Sequence, residues 1–162
     1  MAPWWSDEEW RELTAPDRCG MCADAHLEEN EHSVLLGSTE TTHVRLSRNQ
    51  AHPGYALVIL RVHETNLSDL SPDLLAAFWN DVQRAGRAIE SVLGPKKIDY
   101  LVMGHRMPHL HCHLLPQHET DDPTRNVDIS DGPLLLDDGE LRDRAAALRS
   151  VWLRAAPPTE RA

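Results

Sequence analysis

Pro108-His109-Leu110-His111-Cys112-His113-Leu114-Leu115-Pro116-Gln117 alternates imidazoles with apolar side chains. A β-strand turns successive side chains to opposite faces, so on a strand running from His109 to Leu115 the three histidines share one face. Leu110, Cys112 and Leu114 share the other, which is core-forming. Three imidazoles in a row span ~13 Å at a strand rise of about 3.3 Å per residue. Such a row can bind a metal, or bind and attack a phosphate. A histidine-rich surface without a role has no reason to keep an apolar residue at every second place. Histidine is enriched here: five of the chain's ten fall between His105 and His118.

Outward from this strand, Ile98 to Met103 reads as its neighbour, joined by a turn over Gly104 to Pro108. Tyr55 to Val62, opened by Pro53-Gly54, is apolar on both faces as a central strand would be. Ser33 to Gly37 and Thr42 to Leu46 are shorter strands, with Gly37-Ser38 as the turn between them. Ser71-Pro72 starts the main helix, a hydroxyl N-cap followed by proline at the first helical position. Phe78, Val82, Ala85, Ile89 and Val92 form its buried stripe, and Gly94-Pro95 ends it. Ser6-Asp7-Glu8-Glu9 has the spacing of a capping box and predicts a helix to about Leu13. Arg18 to Cys22 reads as a tight turn, and Glu28, Glu29 and Glu31 as a solvated loop. Nine acids against two arginines between Glu119 and Asp143 mark another loop. Leu141, Ala145, Leu148 and Trp152 then restore the helical period until Pro157-Pro158. Strand-helix-strand order admits a parallel crossover, but the short turns favour an α+β fold: a mostly antiparallel five-stranded sheet with one long helix packed across it, plus N- and C-terminal helices.

The chain has 162 residues, 41% hydrophobic and 26% charged, which is one domain's worth with no sign of a second. Its formal charge of −10 argues against coating nucleic acid but leaves room for a small anionic ligand held by local donors. The longest apolar run, Ala56 to Leu60, is too short to span a bilayer. Met1 to Trp5 leads straight into acidic residues and does not read as a signal peptide. Three cysteines, two of them in Cys19-Gly20-Met21-Cys22, fit a reducing cytoplasm. On its own that pair is half a metal site, a redox pair or two inert thiols. His26, His32, His43, His52 and His118 read as loop histidines at the surface. Trp4 and Trp5 read either as a dimer contact or as a hydrophobic lid.

Gly104 to Gln117 resembles the signature of the histidine-triad (HIT) superfamily, His-φ-His-φ-His-φ-φ with φ apolar. Leu46 to Gln50, Pro53-Gly54-Tyr55, Leu60 to His63, the long helix, Ile98-Asp99-Tyr100 and Asp121-Asp122-Pro123 follow in that family's order. The resemblance implies a HIT domain over 18–125, preceded by a helical extension (1–17) and followed by an acidic loop and C-terminal helix (126–162). It implies a nucleotidyl hydrolase or transferase, commonly a homodimer, that cleaves a nucleotide conjugate at the α-phosphate and releases NMP. His111 would be the nucleophile and His113 a donor to the phosphate, with Ser47, Asn49, His105 and Gln117 as further substrate contacts. His105 and Gln117 stand where many relatives have Asn or Gln and Arg, and Ser47 stands where they have the Asn or Asp that holds the ribose. In one branch of the family an N-terminal C-x-x-C joins two histidines. Carried to this chain, Cys19, Cys22, His63 and His109 would hold a structural Zn²⁺, and no organic cofactor is implied. Two other readings stay open: a nucleotide-binding protein with little turnover, and a zinc hydrolase using the histidine row as ligands.

Overall fold

The computed structural model describes residues 4–129 and 132–155. Helix α1 (Asp7–Leu13) opens on Ser6, whose hydroxyl accepts from the Glu9 N–H while the Glu9 carboxylate accepts from the Ser6 N–H, the expected capping box. Helix α2 (Gly20–Asp24) follows after a single 3₁₀ turn. Strands β1 (Ser33–Ser38), β2 (Thr42–Ser47) and β3 (Ala56–Leu60) lead to helix α3 (Pro72–Leu93). Strands β4 (Lys97–Val102) and β5 (His111–Gln117) and helix α4 (Asp138–Arg154) complete the order. The sheet runs β1-β2-β3-β5-β4, and every neighbouring pair is antiparallel. The chain is thus α+β with a five-stranded antiparallel sheet, a long helix across it and helices at both ends.

Helix α3 forms for the reasons its sequence states. Ser71 accepts from the Leu74 N–H, Pro72 occupies the first turn, and Gly94 closes the helix at φ 58°. Its stripe of Phe78, Val82, Ala85 and Ile89 is buried against Val58, Leu60, Cys112 and Leu114 in one cluster. Burial of each large side chain in that stripe contributes about 1.5–3 kcal/mol. Helix α4 adds Leu141, Ala145, Leu148 and Trp152 to the same core, the four positions its period predicted. The Pro157-Pro158 stop lies outside the described residues.

Several boundaries differ from expectation. Gly37 and Ser38 lie inside β1, beyond a bulge at the Leu35/Gly37 step, and the turn falls at Thr39 to Thr41. Gly37 serves packing instead of turning: a Cβ there would run into Trp152 Nε1 and lie 2.7 Å from its Cδ1. Buried Asp81 on α3 anchors the true turn by accepting from Thr39 Oγ1 (2.6 Å) and Thr42 Oγ1 (2.8 Å). The Cys19–Cys22 segment is not a bare turn, because Cys19 is the N-cap of α2 and Cys22 lies within its first turn. The central strand stops at Leu60, and half-exposed Val62 leads the chain away toward His63. Pairing in β5 begins at His111, since Pro108 has no N–H and the His109 N–H closes a turn on Met107 O. Leu110 O still accepts from Leu60 N–H at 3.0 Å, so the strand alternation extends to it.

Trp4 and Trp5 do different things. The Trp4 ring packs 5.5 Å from Trp10, centroid to centroid, while Trp5 Nε1 donates to His105 O at 2.8 Å. Helix α1 is thereby strapped to the β4–β5 turn.

Candidate functional site

Alternation along β5 separates two environments. Leu110, Cys112 and Leu114 enter the core beneath α3. His111 and His113 project from the opposite face, where register sets them beside Ile59 and Leu57 of β3. Both are nearly enclosed, at 4% and 6% exposure. Their rings meet edge to face with centroids 4.7 Å apart, and their Nε2 atoms are separated by 3.0 Å.

Carbonyl partners assign the protons in this row. A carbonyl only accepts, so His111 Nδ1, 2.5 Å from His109 O, carries hydrogen. The Nε2 atom of neutral His111 is then a lone pair, and His113 Nε2–H must be the donor across the 3.0 Å contact. His113 Nδ1 is left as an acceptor, and the Tyr55 hydroxyl lies 2.8 Å from it. Burial holds His111 below the ordinary histidine range, partly opposed by its bond to the His109 carbonyl. Burial, followed by the neighbouring His111, pushes His113 down to about 4. Both rings are therefore neutral near pH 7, and His111 presents an unprotonated nitrogen.

His109 faces a different cluster. Its Nδ1 lies 3.2 Å from Cys19 Sγ and 3.5 Å from Cys22 Sγ, and Cys22 Sγ lies 3.2 Å from His63 Nδ1. The four ligand atoms are all within 4.8 Å of one another. A tetrahedral cation with Zn-like bonds would separate nitrogen and sulfur ligands by about 3.5 Å, so the set fits one metal ion. The remaining ring nitrogens support this orientation: His109 Nε2 donates to Leu60 O at 2.7 Å and His63 Nε2 to Thr14 O at 2.9 Å. Each imidazole thus turns its Nδ1 lone pair toward the thiols, an outer-shell arrangement that fixes the ligand tautomer. Burial, then the adjacent Cys19, pushes the Cys22 thiol up to about 11, so a cation would have to displace a proton on binding.

The other expected site residues are spread around this centre. Buried Ser47 ends β2, with its hydroxyl accepting from Asn49 N–H at 3.1 Å. Asn49 Oδ1 accepts from Ala51 N–H (3.0 Å) and Leu134 N–H (3.1 Å), which ties it to the strand-like return of the acidic segment. Gln117 lies on the His111/His113 face of β5 but four residues beyond His113, with Nε2 donating to Leu115 O at 3.3 Å. His105 is exposed on the turn that Trp5 straps. These hydrogen bonds of Ser47, Asn49 and Gln117 run to backbone groups around the site.

Of the histidines expected at the surface, His26 and His32 are exposed. His43 instead lies half-buried in β2, 2.7 Å from Ser38 Oγ, and half-buried His118 donates from Nε2 to Pro53 O at 2.9 Å. Two residues that support the site were not singled out from the sequence. Arg45 is wholly enclosed and donates to Ser33 Oγ, Ser33 O, Ala25 O and Leu27 O, holding the chain that leaves α2. Tyr55 reaches His113 diagonally across the sheet; a bulky hydroxyl-bearing residue after Pro53-Gly54 at the mouth of a strand was its only trace.

Comparison with known proteins agrees with this geometry. The family model described as HIT domain matches residues 28–120, more than half of the 162-residue chain. A histidine triad protein from Bradyrhizobium japonicum is 22% identical, with a TM-score of 0.68 over 77% of this chain and 94% of that one. A hypothetical histidine triad nucleotide-binding protein from Sulfolobus tokodaii is 19% identical, with a TM-score of 0.67 over 84% of this chain and 93% of that one. A Zn-bound histidine triad family protein from Mycobacterium smegmatis is 20% identical, with a TM-score of 0.63 over 86% and 96%. The five-stranded antiparallel sheet, the alternating histidines of β5 and the match over residues 28–120 place this chain in the HIT domain family.

Proposed function

We propose that this protein is a nucleotide-conjugate hydrolase or nucleotidyl transferase working through a covalent intermediate on His111. The observation that carries the reading is the fixed tautomer of His111, whose Nδ1–H is held by His109 O and whose Nε2 lone pair accepts from His113 Nε2–H. In the first step that lone pair forms an N–P bond to the α-phosphorus, and the P–X bond breaks with its electron pair leaving on X. The ring becomes cationic, and its Nδ1–H bond to the His109 carbonyl strengthens as charge develops. His113 Nε2–H, released from His111 once the lone pair is committed, donates to a phosphate oxygen. Water then forms a P–O bond, and the N–P electron pair returns to His111. The water protons pass to the departing group and solvent, so the sum is NMP-X plus water giving NMP plus HX. Another acceptor in place of water makes the reaction a transfer.

Ser47, Asn49, His105 and Gln117 are proposed as the outer substrate contacts. Cys19, Cys22, His63 and His109 would hold Zn²⁺ in a closed, four-ligand site whose chemistry is structural, tying α2 and the chain after β3 to the start of β5. The HIT domain is taken as 18–125, the preceding 1–17 as an extension, and 126–162 as an added segment whose helix joins the same core. A homodimer is proposed through β4: the outer edge of β1 is capped by the Glu29–Val34 bridge, whereas β4 ends the sheet with Tyr100 and Val102 exposed. A cysteine pair used as metal ligands and not as a disulfide suits a cytoplasmic protein. The acidic surface suits a small nucleotide partner better than nucleic acid. No helix among the described residues is long and apolar enough to cross a membrane.

A panel of dinucleoside polyphosphates, nucleoside phosphoramidates and nucleotide-linked acids, assayed for NMP, tests the reaction. Release of NMP from at least one is expected. Equilibrium binding of AMP with no product from any conjugate would select a nucleotide-binding protein instead.

A further inference from the structure

We infer that Tyr55, which lies outside the histidine row, is a positioning residue for the reaction: its hydroxyl fixes the ring of His113 so that Nε2–H points at the His111 lone pair in the resting protein and at a phosphate oxygen when substrate is present. The inference rests on the nucleotidyl-transfer reading for its kinetic consequence and on the geometry of Tyr55, His113 and His111 for everything else.

Tyr55 immediately precedes β3, and continuing the register of β3 with β5 sets it opposite Leu115, on the same face as His113 and one diagonal step away. An aromatic side chain covers that step. The two ring centroids are 5.9 Å apart, and the hydroxyl lies 2.8 Å from His113 Nδ1. Proton placement leaves one consistent direction for this bond. If His113 Nδ1–H donated to the phenol oxygen, its Nε2 would be a lone pair, and two lone pairs would face each other across 3.0 Å at His111. With Tyr55 donating, every nitrogen of both rings is matched, ending at the carbonyl of His109.

The backbone that carries the phenol is tied on both sides, and the residue is buried. Tyr55 is 7% exposed, its N–H donates to His52 O at 2.8 Å, and its carbonyl accepts from Ser47 N–H (2.9 Å) and Gln50 Nε2 (3.2 Å). Gln50 Oε1 in turn accepts from Gly54 N–H at 2.9 Å and from Arg144 Nη1 at 2.8 Å. Gly54 turns the chain at φ 95°, a conformation that favours glycine. Burial pushes the phenol up to about 12, so it remains a donor throughout the neutral range. Support of this kind, from a residue that touches no substrate, is how a reacting side chain is kept in productive geometry.

The experiment uses full-length protein labelled with ¹⁵N-histidine, as wild type and Tyr55→Phe. In the wild type, the Tyr55 hydroxyl proton should exchange slowly and correlate with His113 Nδ1, a readout that needs no variant to fold. In Tyr55→Phe, the His113 Nδ1 resonance should move to that of an unbonded acceptor nitrogen. With a conjugate that the wild type hydrolyses, kcat should fall about tenfold to a hundredfold while KM changes less than about threefold, the pattern of a misplaced transition-state donor. A hydroxyl exchanging at solvent rates, or an unmoved Nδ1 resonance in folded Tyr55→Phe, overturns the assignment. If the wild type cleaves no conjugate, the transfer reading fails, and the nitrogen resonance alone decides the role of Tyr55.

Discussion

His113 should make the protein acid-labile by an amount that can be worked out. Its folded-state value of about 4 lies below the ordinary histidine value of about 6.5 expected in the unfolded chain. Above pH 6.5 neither state carries the proton and the group contributes nothing to pH dependence. As pH falls below 6.5 the unfolded chain takes up a proton that the buried ring refuses, so stability is lost on acidification, levelling off below about pH 4. With those two values the loss is about 2 kcal/mol at pH 5 and about 3 kcal/mol at pH 4. The assay is urea unfolding of wild type and His113→Gln at pH 7, 6, 5 and 4. Glutamine is neutral throughout and can donate to His111, so its unfolding free energy should decline less steeply by those amounts. Acid effects on the Cys19, Cys22, His63 and His109 cluster are common to both proteins and cancel in the difference. Parallel curves for the two proteins would refute the claim that His113 is buried neutral.

Protein prepared without chelator should carry about one zinc per chain by elemental analysis, and Cys22→Ser should lose it together with several degrees of thermal midpoint; metal-free wild type of unchanged stability would reject the closed site. Gly37→Ala should cost about 1–3 kcal/mol in urea unfolding, because its methyl group meets the Trp152 indole, while turnover stays unchanged. Light scattering should give about twice the 18.3 kDa chain mass, and a constant single-chain mass at micromolar concentrations would dismiss the β4-edge dimer.

What the sequence made legible was what periodicity and chain chemistry control locally. The strand alternation of β5, the capping box at Ser6, the Ser71-Pro72 start of α3 and the four buried positions of α4 are all written at short range. The metal cluster was reached by resemblance, since nothing in the spacing of Cys19 and Cys22 points to His63 or His109 far along the chain. Long-range pairings escaped for the same reason. Gly37 looked like a turn because the Trp152 ring that requires it lies more than a hundred residues away. Nothing local in the sequence marks Asp81 as the acceptor for Thr39 and Thr42, or Arg45 as the donor to four acceptors that enclose it. Tyr55 was legible as part of a strand opening but not as the partner of His113, because a diagonal contact depends on register that only the folded sheet sets.

Mass spectrometry of protein quenched during turnover tests the central claim most directly. With a conjugate that is hydrolysed, rapid quenching at mildly alkaline pH should trap a nucleotidyl group on His111 that disappears as NMP is released, and His111→Ala should keep its fold while kcat falls by several orders of magnitude. Near-normal turnover by His111→Ala, or steady turnover with no adduct on His111 at any quench time, would contradict it.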